Sequence, residues 1–338
     1  MIIVLRPNVT RKDEQAVLRE IRKLGYKPHV MRGVARTVIG AIGDERKNHT
    51  LETLTSFAQV ESVMPIQKRF KLVSREAHPA NSTIKVGKDI VIGGKKVQIM
   101  AGPCSVESEK QLLTTAHAVK AAGATILRGG AFKPRTSPYE FQGLGEKGLK
   151  LLAKARKETG LAVITELLSE QHVDMVAEYA DILQIGARNA QNFQLLIAAG
   201  KTGKPVMLKR GLSMKIEEWL LAGEYVLANE NPNLMFCERG IRTFETYTRN
   251  TLDLTAVPII KKESHCPIVI DPSQGAGRAE LVSAMCKGAV AMGADALIIE
   301  VHPNPAEALS DGAQQVTLEG FAKLVKELQP LLAAVGRE

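Results

Sequence analysis

Three observations predict an α/β fold, a (β/α)8 TIM barrel preceded by a small ferredoxin-like α+β domain. Eight short apolar runs cross residues 97–338, helical patterns alternate with them, and residues 1–70 read β-α-β-β-α-β. The runs are VQIMAGPC, TILRGG, AVITELL, ILQIGARN, VMLKRG, LMFCERG, IVIDPSQ and ALIIEVHP, starting near 97, 125, 162, 182, 206, 234, 268 and 296. Successive starts lie 20 to 37 residues apart, room for one strand, one helix and their connections. An open doubly wound sheet is the competitor. It rarely has eight parallel strands, and it gathers its chemistry at one crevice rather than at nearly every strand end.

In the first 70 residues, strands are expected at 2–5, 27–31, 37–42 and 60–66. A helix over 13–24 carries Ala16, Val17, Leu18, Ile21 and Leu24 on one face and stops at Gly25. Gly43-Asp44 turns the chain, and a second helix covers about 50–57. Residues 71–96 read as linker and barrel lead-in, since 70–83 is polar and holds Pro79. The barrel takes 97–338, with helical patterns at 109–122, 145–159, 192–199, 280–292 and 318–328.

The composition narrows the function. Residues 1–76 hold 15 Lys and Arg against 8 Asp and Glu, whereas the remainder holds 30 against 28, so the basic excess belongs to the first domain. Aromatic residues are 4% and no basic helix is interleaved with them, which argues against nucleic acid. No apolar run approaches the ~20 residues that cross a bilayer, and Arg6-Pro7 follows the first five residues where a secretory signal would continue. A cytoplasmic location without membrane association is expected. Four cysteines without a CxxC pair fit a reduced compartment, although Cys104 and Cys237 share a face and could pair.

Stranded at the ends of the runs are Cys104, Arg128, Glu166, Arg188, Lys209, Arg239, Asp271, Gln274 and Glu300. With Lys133 and Arg135, four of these place six cations around one barrel mouth. Arg grips phosphate or carboxylate bidentately and Lys supplies a point charge or a proton, so anionic substrates are expected. The plain alternative is that each cation pairs with an acid at the rim. The loop Lys133-Pro134-Arg135-Thr136-Ser137-Pro138 is stiffened by two prolines and offers two cations and a hydroxyl to a phosphate. Cys104, Glu300 and Asp311 combine soft and hard donors, which suits a divalent transition metal. Glu300 and His302 lie two apart on one strand and share a side.

The segments AGPCSVES, LRGGAFKPRTSPYEFQGLGEKGL, QIGARNAQNF, LKRG, CERGIRTFE, RNTLD, VPIIKKESH, DPSQGAGR and EVHPNPAEALSDG resemble the 3-deoxy-D-arabino-heptulosonate 7-phosphate synthase family, of the short type with a ferredoxin-like (ACT-like) regulatory domain. They lie in order within residues 99–312, and the likeness covers essentially the whole chain. The resemblance implies condensation of phosphoenolpyruvate with erythrose 4-phosphate, which opens aromatic amino-acid biosynthesis. It implies that Arg128, Arg188, Lys209 and Arg239 hold phosphoenolpyruvate and that Lys133, Arg135 and Thr136 take the aldose phosphate. Fixed cations would cancel the repulsion between the two anions.

It also implies a divalent ion (Mn, Fe, Zn, Co or similar) on Cys104, Glu300 and Asp311 that polarises the aldehyde or orients water, with Lys133 donating a proton to the new alkoxide. One position departs from the pattern: Gln274 stands where the family has a metal-ligand His, so weaker or altered metal binding is expected, with His302 a candidate replacement. His265 and Cys266 precede the seventh strand, at the opposite end from the site. The first domain is expected to bind an aromatic effector, tyrosine or phenylalanine, and family members suggest a tetramer. Two rivals stand beside this reading: the sister octulosonate 8-phosphate synthase and a catalytically impaired paralogue.

Overall fold

The computed structural model describes residues 1–32, 36–43, 49–64 and 69–338. The chain divides into two units, Met1–Arg69 and Phe70–Glu338.

The first unit runs β1 (Ile2–Leu5), α1 (Arg11–Lys23), β2 (Lys27–Arg32), β3 (Thr37–Ile42), α2 (His49–Glu52) and β4 (Val60–Met64). Its sheet order is β2-β3-β1-β4 with every pair antiparallel, the split βαβ arrangement. Thr10 caps α1 by accepting from the Asp13 N–H, and Val17, Leu18 and Ile21 pack against Ile3, Leu5 and Ile39. The second helix is shorter than expected: α2 passes into a 3-10 turn, Thr53–Ser56. The hydroxyls of Thr53, Thr55 and Ser56 each bond to the carbonyl three residues back, a local alternative to the α ladder. The turn expected at Asp44 and the strand end expected at 65–66 lie outside the described residues.

The second unit opens with a hairpin, β5 (Ile84–Val86) and β6 (Ile90–Ile92), and then alternates β7 (Gln98–Gly102), α3 (Glu109–Ala121), β8 (Ile126–Arg128), α4 (Glu146–Thr159), β9 (Ala162–Glu166), α5 (Val173–Tyr179), β10 (Ile182–Ile185), α6 (Phe193–Lys201), β11 (Val206–Lys209), α7 (Ile216–Leu227), β12 (Leu234–Glu238), α8 (Ala256–Glu263), β13 (Ile268–Ile270), α9 (Pro272–Ala276), α10 (Ala279–Ala291), β14 (Ala296–Glu300) and α11 (Leu318–Ala334). The eight strands from β7 to β14 close into a parallel barrel, β14 pairing back onto β7. Helices cover the outside and side chains fill the inside, so the strands are buried on both faces and read as unbroken apolar runs. The last helix outruns the expected 318–328, because Leu328 and Leu332 continue its buried stripe past Pro330.

The lead-in to the barrel is ordered structure. Ile84, Val86 and Ile92 of the hairpin pack into the interior layer formed by Ile126, Ile182, Met207 and Met235. These are first or second residues of their strands, so the hairpin plugs the N-terminal end. Residues 70–83 form a strap docked on the barrel. The Glu224 carboxylate accepts the N–H groups of Lys71, Leu72 and Val73 at 2.7, 3.0 and 2.9 Å. Arg75 Nη2 donates to the Lys261 carbonyl at 2.7 Å. All four cysteines are free and buried, so Cys104 and Cys237 are not paired.

Candidate active site

The residues stranded at the C-terminal ends of the strands meet around one cavity of about 320 Å³. Arg128, Lys209 and Glu300 are the last residues of β8, β11 and β14, and Arg239 follows β12 directly. A Cβ on Gly102 would run into the carbonyl oxygen of Arg128, so only glycine lets β7 and β8 close here and swing Cys104 over the barrel end. Asp271 caps α9 by accepting the Gln274 N–H at 2.9 Å, which fixes Gln274 at the same mouth. Cys104, Arg128, Lys133, Arg135, Thr136, Arg188, Lys209, Arg239, Gln274 and Asp311 all line the cavity; Glu300 lies buried against Arg128 and Gln274.

Gathering and pairing occur together. Arg128 meets Glu300 at 3.1 Å, Lys133 meets Asp311 at 3.1 Å, Arg135 meets Glu140 at 2.8 Å, and Lys209 meets Asp271 at 2.6 Å. Arg188 has no acidic partner among the described residues. Two guanidinium nitrogens at the site, Arg128 Nε and Arg135 Nη1, are buried without a hydrogen-bond partner among the described residues. Buried donors of this kind are costly unless something accepts from them.

Cys104, Glu300 and Asp311 offer three ligand-capable atoms within 4.8 Å of one another. A thiol sulfur with two carboxylates fits a divalent transition metal. Asp311 sits at φ 49°, a left-handed conformation costly for a non-glycine residue, and its carboxylate is delivered from this strained position. Burial, reinforced by Glu300, pushes the Cys104 thiol up to about 12, so in this arrangement it is neutral. It accepts from Lys133 Nζ at 2.7 Å and donates to Asp311 Oδ2 at 3.3 Å. Burial works against the charge on Lys133, but Cys104, Glu300 and Asp311 outweigh it and hold the ammonium form. Burial resists ionisation of Asp311, yet Lys133 and Arg249 keep its carboxyl well below the usual carboxylate range.

His302 is not brought to this cluster. Its Nδ1 accepts the Asn304 N–H at 3.0 Å, which leaves Nε2 to face Glu107 at 3.3 Å, so both ring nitrogens are engaged away from the cavity. Sharing a side with Glu300 was not enough, because the chain leaves the strand after Glu300. His265 and Cys266 do lie before β13, at the plugged end.

Sequence reasoning did not single out Arg249, which bridges Asp311 at 3.2 Å, nor Arg242, Glu140 and Asn250 on the cavity wall. These come from long loops, where the strand-end rule has no purchase; the segments CERGIRTFE and RNTLD contain Arg242, Arg249 and Asn250 without marking any of them. Behind the wall, Arg210 bonds Glu238 and Asp253, both at 2.9 Å, and Glu238 accepts the Gly240 N–H at 2.6 Å, which holds the backbone beside Arg239.

A family model described as the DAHP synthetase I family matches residues 75–334. The chain belongs to this family. A second model, the DAHP synthase ferredoxin-like domain, matches residues 1–68. A phospho-2-dehydro-3-deoxyheptonate aldolase of Thermotoga maritima is 52% identical over 336 residues, 99% of each chain. The crystal structure of the Thermotoga maritima DAHP synthase superposes with TM-score 0.92 at 51% identity, covering 100% of this chain and 98% of that one. A truncated form of 3-deoxy-D-arabino-heptulosonate 7-phosphate synthase from the same organism matches 80% of this chain and 98% of its own with TM-score 0.75. More distant is a 2-dehydro-3-deoxyphosphooctonate aldolase of Caulobacter vibrioides, 34% identical over 74% of this chain and 91% of its own. The first of these models falls within the second unit and the ferredoxin-like model within the first.

Proposed function

We infer that the chain is a 3-deoxy-7-phosphoheptulonate synthase, joining phosphoenolpyruvate to D-erythrose 4-phosphate with release of phosphate. The observation that carries this at the level of the site is the ring of cations in one cavity, two of them with buried donor atoms left over. Arg128, Lys209 and Arg239, each no more than 6% exposed, form the deep part, suited to the phosphate and carboxylate of the enol phosphate, with Arg188 nearer the rim. Lys133, Arg135 and Thr136, on the stiff loop after β8, suit the aldose phosphate. Fixed guanidinium groups do two things here: they offset the repulsion of two polyanions and they hold the enol carbon against the aldehyde carbon. As the new bond forms, the aldehyde oxygen becomes an alkoxide and the Lys133 ammonium supplies its proton, while a water oxygen adds to the carbon that carried the phosphate and phosphate leaves.

Cys104, Glu300 and Asp311 would hold a divalent metal ion, which when bound supplies Lewis-acid polarisation of the aldehyde. The first unit supports a regulatory role, with tyrosine or phenylalanine as effector, and a cytoplasmic tetramer is the assembly we propose. No described helix is long and apolar enough to cross a membrane. The deciding assay follows loss of phosphoenolpyruvate with erythrose 4-phosphate and, separately, arabinose 5-phosphate, with and without the two amino acids. Turnover only with the four-carbon aldose is expected. Preference for the pentose would establish the octulosonate reading, and no phosphate release under any added metal would establish the impaired paralogue.

A further inference from the structure

The amide of Gln274 has its orientation dictated by its neighbours. On one side the Arg239 guanidinium, which has only donors, gives Nη2–H to Gln274 Oε1 at 3.0 Å. On the other, Gln274 Nε2 donates to Glu300 Oε1 at 2.9 Å and to Asp311 Oδ2 at 3.2 Å, and ionised carboxylates only accept. The nitrogen must face the acids and the oxygen must face the guanidinium. An amide nitrogen has no lone pair to give a metal. For Gln274 to ligate an ion between Cys104, Glu300 and Asp311, its amide must turn over. That would set its NH2 group against the Arg239 donors and break all three bonds, leaving buried groups unsatisfied.

The remaining ligand atoms are also matched with donors of the protein itself. Glu300 Oε1 receives Arg128 Nη1 at 3.1 Å and Glu300 Oε2 receives Gln314 Nε2 at 2.7 Å. Lys133 Nζ lies between Cys104 Sγ and Asp311 Oδ2. An incoming divalent ion must displace this ammonium, and the thiol must release its proton to solvent, before sulfur can bind it.

We propose that the Cys104–Glu300–Asp311 cage of this chain is held together by the Gln274 amide and the Lys133 ammonium, so that a divalent metal enters it only weakly and in competition with both. Gln274 then serves as a bridge from the substrate cation Arg239 to the acids, not as a ligand. The inference takes its location from the function proposed above, but its test needs no turnover. Co2+ is titrated into metal-stripped full-length protein without substrates, reading the thiolate-to-cobalt absorption and the Kd, for wild type, Gln274→His and Lys133→Met. Each substitution is expected to tighten Co2+ binding by about tenfold or more, the scale on which groups around a metal's ligands tune affinity. The two variants remove separate obstacles, so either one decides if the other fails to fold. A Kd unchanged from wild type in a folded variant overturns the proposal. Failure of the condensation assay with a tightened Kd would sink the assigned reaction and leave this inference standing.

Discussion

Among single residues, the sharpest energetic commitment is Lys209 with Asp271. The side chains are 5% and 1% exposed and meet at 2.6 Å in the floor of the cavity. Burial works against the Asp271 carboxylate, but Lys209 and the Gln274 N–H hold its pKa below the ordinary 3.8. A folded pKa below the unfolded one means stability that is fully present above 3.8 and lost as pH falls through the lower folded value. Removing the cation alone strands a buried charge. Lys209→Met is therefore expected to cost about 3–5 kcal/mol in chemical denaturation of the barrel. The double variant Lys209→Met, Asp271→Asn should recover much of that stability while remaining unable to bind the enol phosphate. A single variant as stable as wild type would show that the pair is not held as described. This partnership was half legible in the sequence: both residues were marked at strand ends, but nothing in the spacing of β11 and β13 says that they touch.

At the level of elements, the strap over residues 70–83 shows where a sequence reading loses its grip. Its N–H groups are satisfied by Glu224 and its carbonyl at Leu72 by His265, partners more than 150 positions away in the chain. No local periodicity can report such bonds, and polar composition with a proline then reads as linker. The barrel strands were legible for the opposite reason: burial on both faces writes itself into every residue of the run. The strap also carries a pH response. His265 Nε2 donates to the Leu72 carbonyl at 2.8 Å, which in the neutral ring leaves Nδ1 to accept from the Ser82 hydroxyl at 2.7 Å. Burial lowers its pKa below 6.5, with His78 and Arg75 opposing the charge as well and the Leu72 carbonyl and Glu224 favouring it. Stability from this contact is complete above pH 6.5 and declines as pH falls through the lower folded pKa. Thermal melts from pH 7.5 to about 5 should show a falling Tm that is flattened in His265→Gln. Parallel slopes in the two proteins would remove His265 from this role.

For the whole molecule, the division at Arg69 and Phe70 sets the useful experiment. A fragment spanning 70–338 keeps its strap, plug and cavity and is expected to fold and condense the two substrates, while losing any response to tyrosine or phenylalanine. Retained inhibition in the fragment would place the effector elsewhere. Overall charge gave little warning of the site, because the second unit is nearly neutral in sum and its cations are concentrated at one mouth. What could be read was their position relative to strand ends; what could not was the long-loop share, Arg242 and Arg249, and the hydrogen bonds that turn Gln274 into a bridge. The hairpin of Ile84, Val86 and Ile92 has a last consequence for traffic. With side chains filling the cylinder above that stopper, the cavity is a cul-de-sac, so the reactant destined for the floor has to arrive before the one that parks above it. The seven-carbon product must back out through the same door before the next cycle can start.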